Sequence, residues 1–189
     1  MKKRLLLALE VLTGMLLLTA SIVWAQAPAP LAKTGQTTSY RAGDDGDYEK
    51  GVASPSPRFK DNGDGTVTDN LTGLMWAKNA NMGGIMNWNS AIDYAENVSL
   101  GAVGCGLTWN DWRLPNVREL QSLIDFGNQS PALPTGHPFT SVQSSDYWSS
   151  TTSASNTDGA FGVYIVWGMT GYKTKASSDG YVWPVRGGI

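Results

Sequence analysis

Few side chains in this chain have the types and spacing that chemistry needs. Asp61–Asn70 reads DNGDGTVTDN, and its first half resembles a calcium loop. Such a loop needs oxygen ligands at positions 1, 3, 5 and 12 around a glycine at position 6. With Gly65 as that glycine, Asp64 and Asn62 fall on ligand positions, but Lys60 takes position 1 and Leu71 position 12. A cation and an alkyl chain close the two ends of the cage. Calcium therefore stays a candidate cofactor without a complete motif, and no other cofactor is indicated. The lone histidine, His137, sits in Gly136-His137-Pro138, and the lone cysteine, Cys105, in Gly104-Cys105-Gly106. A hydrolytic triad needs a base positioned by other elements, and zinc or redox sites need paired ligands. Neither pattern is present. A free thiol or an intermolecular disulfide are the two readings of Cys105. The remaining group is aromatic and cationic: Trp167, Tyr172, Lys173 and Lys175 flank one turn, where exposed rings beside ammonium groups suit a sugar ring and its sulfate or carboxylate. A hairpin with a solvated polar face accounts for the same pattern.

Those residues need a scaffold. Met1-Lys2-Lys3-Arg4 precedes a long apolar run that ends Val23-Trp24-Ala25, the pattern of a secretory signal peptide with cleavage after Ala25. An uncleaved anchor helix is the alternative. No other stretch is long enough to span a bilayer, so the cleaved chain is expected to have no stable membrane span. The location expected is secreted, periplasmic or cell-surface, in a bacterial envelope. The chain of 189 residues carries 14 Lys and Arg against 16 Asp and Glu. Removing residues 1–25 takes away more basic groups than acidic ones. That balance argues against nucleic acid as a partner, which wants clustered cations. Residues 26–56 are rich in Ala, Pro, Gly, Ser and Thr and read as a flexible linker. A single domain follows over 57–189.

Within it, Thr66-Val67-Thr68 and Leu74-Met75-Trp76-Ala77 read as strands separated by Asn-Gly, Asp-Gly and Asn70–Gly73 turns. Trp88, Ala91, Ile92 and Ala95 recur at helical spacing. A second helix is predicted over 116–124, with Asn116 and Glu119 at capping-box spacing and Val117, Leu120, Leu123 and Ile124 on its apolar face. Residues 127–146 form a long loop, a length that is often functional. Tyr147–Thr152, Ala160–Trp167 and Tyr181–Arg186 read as strands, with Gly168–Lys175 as a hairpin partner for the second. The tryptophans at 76, 88, 112 and 148 are expected in the core. The order is α+β: antiparallel sheets, two helices and a long loop region.

Five blocks carry a resemblance. They are RFKDNGDGTVTDNLTGLMWAK (58–78), Trp88 with Ala91 and Tyr94, DWRLPNVRELQSLID (111–125), YWSSTT (147–152) and YVWPVRGG (181–188). Together they resemble the Lcl C-terminal domain family, named for a Legionella collagen-like protein. The RLPN-x-x-EL block is also similar to a block of formylglycine-generating enzymes. The resemblance implies a C-type-lectin-like fold, in which the first and last strands pair and a long loop region carries ligands. It makes Asp111, Trp112, Arg113, Asn116, Glu119, Trp148 and Arg186 structural motif residues, with Asn116 as a cap and Arg113 paired to a carboxylate. It implies adhesion through an extracellular glycan, sulfated glycosaminoglycan among them, or through a surface protein. Three features of the relatives are missing. Ala95 stands where many relatives have Cys, the collagen-like stalk is absent, and the cysteine pair used by formylglycine-generating enzymes is reduced to Cys105. Trp109-Asn110-Asp111 and Leu114-Pro115-Asn116 are similar to the calcium tripeptides of C-type lectins, but in reversed order and with Leu114 in place of the ligating Glu. The expectation is an exported, non-enzymatic binding domain, with Trp167, Tyr172, Lys173, Lys175 and His137 as ligand-binding candidates. The alternatives are a structural or protein-interaction module of the envelope and an exported enzyme.

Overall fold

The structure, a computed structural model, describes residues 31–101 and 109–187. The signal segment and Cys105 lie outside the described residues. Among the described residues no helix is long and apolar enough to cross a membrane.

The fold is α+β, built from two sheets and short helices. In chain order the elements are α1 (Asp45–Tyr48), β1 (Phe59–Asp61), β2 (Thr66–Asp69), β3 (Met75–Ala77), β4 (Ile85–Met86), α2 (Trp88–Glu96), α3 (Val117–Ser122), β5 (Asp146–Thr152), β6 (Gly159–Tyr164), β7 (Met169–Thr174), β8 (Gly180–Tyr181) and β9 (Val185–Arg186). The first sheet runs β1-β2-β3-β9 and the second β4-β8-β5-β6-β7. Pairing is antiparallel except where β8 lies parallel to β5.

The calcium-like run is a corner. Asp61 accepts from the Gly63 N–H at 3.0 Å and pairs with Lys78 at 2.6 Å, while Asp64 accepts from the Thr66 N–H at 3.0 Å. These short-range bonds are what Asx turns make. The next turn closes on Asp69, fully buried, which accepts from the Leu71 N–H at 2.9 Å and from Arg58 Nη2 at 3.2 Å. Arg58 also reaches the Ser122 carbonyl, so the turn is tied to the end of α3.

Helix α2 starts where Asn87 caps the Ser90 N–H, and it buries Ala91 and Ala95. Helix α3 has the full capping box: Asn116 accepts from the Glu119 N–H at 3.0 Å, and Glu119 accepts from the Asn116 N–H at 2.7 Å. Leu120 and Leu123 go into the main core with Trp76, Tyr147, Val163 and Trp183. A second core of Ala91, Ala95, Leu114, Trp148, Ala160 and Val182 lies under α2. Trp88 only packs against that second core, partly buried, and its indole N–H donates to the Ser149 carbonyl at 2.8 Å.

Three expectations need correction. The strand expected over Tyr181–Arg186 is two strands in different sheets. Trp183 turns fully inward between them, and Pro184 has no N–H to give a ladder. The strand expected to run to Trp167 ends at Tyr164, where a turn closes with Gly168 N–H donating to the Tyr164 carbonyl at 2.9 Å. The last strand does return to the first sheet, but its partner is β3 and not β1. Within the stretch read as a flexible linker, the described residues carry local structure. Asp45–Tyr48 forms one helical turn, Ala32 bridges Val52, and Lys33 pairs with Glu49 at 3.0 Å.

Two measurements follow from this packing. Trp183→Ala is expected to lower unfolding stability by about 3–5 kcal/mol, as for other buried Trp truncations, read from urea denaturation. Glu119 carries part of the acid dependence. Burial pushes its carboxyl up, but the Arg113 guanidinium, at 2.6 and 2.7 Å, and the Asn116 N–H outweigh that and leave it below the ordinary glutamate range. The unfolded chain lacks both partners. The pair therefore stabilises the fold above the ordinary glutamate range and loses that contribution as pH falls through the folded value. Thermal melts from neutral pH down to about pH 3 should show Glu119→Gln less stable at neutrality and with a flatter acid limb.

Candidate functional site

The loop after α3 is pinned in its first part. Ser130 N–H donates to the Val166 carbonyl at 2.9 Å and Ala132 N–H to the Ile165 carbonyl at 2.8 Å, so the loop runs beside the β6–β7 turn. Asp125 accepts from the Gly127 N–H at 2.9 Å and shapes the bend. Phe126 N–H donates to the Thr34 carbonyl at 2.8 Å, which brings the 34–40 segment against the same loop. Gly127 permits that approach: a Cβ there would lie 2.5 Å from the Gly35 carbonyl oxygen. Gly168 does the same for the turn. Its φ is +71°, and a Cβ would lie 2.4 Å from the Ile124 side chain.

Between these three segments lies a cleft. One part, of about 350 Å³, is lined by Tyr40, Phe126, Gly127, Asn128, Gln129 and Trp167. An adjoining part of about 270 Å³ shares Tyr40, Phe126 and Asn128 and adds Gln36, Thr38 and Thr135. Both are close to the lower end of small-ligand pocket sizes. Trp167 and Phe126 are each 55% exposed and Tyr40 81%, so three rings stand at the wall with their faces available. Trp167 is held edge-on to Tyr164, with centroids 5.2 Å apart. Tyr40 is held through its backbone: the Asp44 carboxylate accepts from the Tyr40 N–H at 2.7 Å, a bond that, with others to the Arg41 and Asp47 N–H groups, keeps that carboxyl below its ordinary range. No charged side chain lines either part of the cleft. Its polar groups are amides and hydroxyls, which both donate and accept.

The residues singled out from sequence do not converge here. Trp167 is on the cleft. Tyr172 lies on β7, exposed and leaning over Gly159. Lys173 and Lys175 are engaged within the chain. Lys173 sits 4.7 Å from the Trp148 ring centre, 3.5 Å from the Asp146 carboxylate, and donates to the Asp179 carbonyl at 2.6 Å. Lys175 sits 4.1 Å from the Trp88 ring centre and donates to Thr152 at 2.8 Å. The alternation of a strand sends residues 173 and 175 to one face and residue 172 to the other. His137 is half-buried against Phe139, ring centres 5.8 Å apart, and burial pushes its pKa down. Among the described residues no three His, Cys, Asp or Glu side chains come together as a metal-ligand set.

The motif residues form a brace on the last strand. Arg113 and Val185 exchange backbone hydrogen bonds at 2.9 and 3.0 Å, and Arg113 also holds the Gly187 carbonyl at 2.9 Å. Arg186 takes both oxygens of Asp111, at 2.6 and 2.9 Å, and lies 3.9 Å over the Trp109 ring. That Arg186 pairing lowers the Asp111 carboxyl. Trp112 and Trp148 are buried.

Residues 65–186 match the family model of the Lcl C-terminal domain. The chain belongs to the Lcl C-terminal domain family. No curated protein matches it. The matched stretch contains both sheets' main strands and the brace. It contains Phe126, Asn128, Gln129 and Trp167 from the cleft, while Gln36, Thr38 and Tyr40 lie outside it. One wall of the cleft is thus family-domain sequence and the other comes from the segment before it. That segment was missed in the sequence because it has no apolar period, and Phe126, one residue before the long loop, was missed because nothing in its type separates it from core aromatics.

Lys173→Met and Lys175→Met test whether these lysines serve the fold. Each is expected to lower stability by about 0.5–2 kcal/mol, the range of a cation–π contact, read from thermal or urea unfolding.

Proposed function

We propose that this Lcl C-terminal domain is an exported, non-enzymatic binding module of C-type-lectin-like type that takes an uncharged carbohydrate into the Tyr40–Phe126–Trp167 cleft. The observation that carries the reading is three exposed aromatic rings around a groove whose polar groups are all neutral. A pyranose ring offers apolar C–H faces to aromatic rings and hydroxyls to amides. Asn128, Gln129 and Gln36 supply the amides, and Thr38 and Thr135 the hydroxyls. A sulfated chain would need cations in the groove. The lysines first considered for that role are held by Trp148, Trp88, Asp146 and Thr152. Of the extracellular glycans considered, sulfated ones among them, these observations favour a neutral sugar.

A protein-interaction role in the envelope is the second reading, and one experiment separates the two. The full chain is titrated with neutral and sulfated oligosaccharides, following tryptophan fluorescence, at low and high ionic strength and with calcium or chelator. Trp167 is the exposed tryptophan among the described residues, so a stacked sugar should perturb its emission. Neutral sugar binding that is indifferent to salt and chelator is expected. Trp167→Ala should weaken it by about tenfold to a hundredfold, the loss of one stacking face and its buried area, with the melting temperature nearly unchanged. Salt-sensitive binding of sulfated chains alone would overturn the neutral-sugar reading. Binding lost with chelator would place a metal in recognition. No binding to any sugar would favour the protein-interaction module.

A further inference from the structure

Strand β7 is an edge with one side unused. It pairs with β6 in unbroken register from Met169 opposite Tyr164 to Thr174 opposite Gly159. No backbone hydrogen bond from Met169–Lys173 reaches any other described segment. Edge strands are normally blunted by proline, a bulge, outward charge or a covering loop. β7 has no proline and no break in register. Its one charged residue is Lys173, and that ammonium is turned onto Trp148, Asp146 and the Asp179 carbonyl. Met169 and Tyr172 stand exposed on it, at 59% and 54%.

Gly171 sits in the middle of this strand. Its opposite number, Gly162, is required, since a Cβ there would lie 2.7 Å from the Tyr147 carbonyl oxygen. Gly171 is not required by the fold: a Cβ there meets nothing within 4 Å, and its φ is not in the left-handed region. Glycine inside a strand weakens it and often marks close approach by another backbone.

We propose that β7 is a dimerisation edge, pairing antiparallel with β7 of a second copy of this chain about a two-fold axis at Gly171. In that register Gly171 faces Gly171, Thr170 faces Tyr172 and Met169 faces Lys173 of the other copy. The exposed ring and thioether gain neighbours, and the two five-stranded sheets become one. A second copy fits for two reasons. The strand's only charge is neutralised within its own chain, so two identical edges meet without repulsion. An isologous strand pair also closes after two copies and leaves no further edge of this kind. The surface is separate from the cleft, so this inference does not rest on the sugar-binding reading.

The test is the oligomeric state of the full chain, purified as the cell delivers it, by sedimentation over a wide concentration range. The wild type is expected as a reversible dimer. Gly171→Glu and Gly171→Lys should each fold, by thermal melting, because the Cβ enters open space. Each should weaken the dimer by about tenfold or more, through like charges placed face to face. A mixture of the two variants should recover a one-to-one dimer. A wild type that stays monomeric at the highest concentration overturns the proposal. So does a dimer indifferent to both variants, or a mixture that stays monomeric.

Discussion

Everything else in the fold is arranged around the burial of Trp183. Its indole packs between Phe139 at 4.8 Å, Tyr147 at 5.3 Å and Trp76 at 5.8 Å, and its N–H donates to the Ala77 carbonyl at 2.8 Å. Those partners come from the first sheet, the long loop and the second sheet. A residue with that much apolar surface and one obligatory donor has few places to go. Here it takes a site where the chain is leaving one sheet for the other. The break between β8 and β9 is therefore the cost of seating one ring, and Pro184 marks it.

The second constraint is charge. Three of the domain's ion pairs hold backbone segments together. Arg58 with Asp69 secures a turn to α3, Arg113 with Glu119 secures the helix start to the last strand, and Arg186 with Asp111 secures the end of that strand. Lys173 and Lys175 cap the second core through the faces of Trp148 and Trp88. Planar guanidinium groups suit such work because one group can satisfy a carboxylate and a carbonyl together. What is left on the cleft is neutral. A groove with rings, amides and hydroxyls offers shape and hydrogen bonding rather than charge.

The cleft itself depends on a rigid body holding soft pieces. Both its loops hang from the end of β6 and from α3, elements anchored in the main core by Val163 and Leu120. Loops placed by a stiff scaffold are the usual carriers of recognition. The 34–40 segment adds the outer wall through few bonds, chiefly Phe126 N–H to the Thr34 carbonyl.

Local patterns in the chain were enough for the α+β class, both main helices, the capping box of Asn116 and Glu119, the turn at Asp61–Gly65 and most of the buried tryptophans. Each of these is governed by neighbours a few residues away: a helical repeat, an Asx turn, an alternating strand. Family membership was legible for the same reason, since its blocks are contiguous. Tertiary structure decided the rest. Whether Lys173 meets a ligand or Trp148 depends on which face of β7 is covered, and by a ring 25 residues away in the chain. Whether Tyr181–Arg186 is one strand or two depends on where Trp183 finds its partners. That Tyr40, Phe126 and Trp167 share a cleft follows from backbone contacts between segments with no common period, so no spacing in the sequence encodes it.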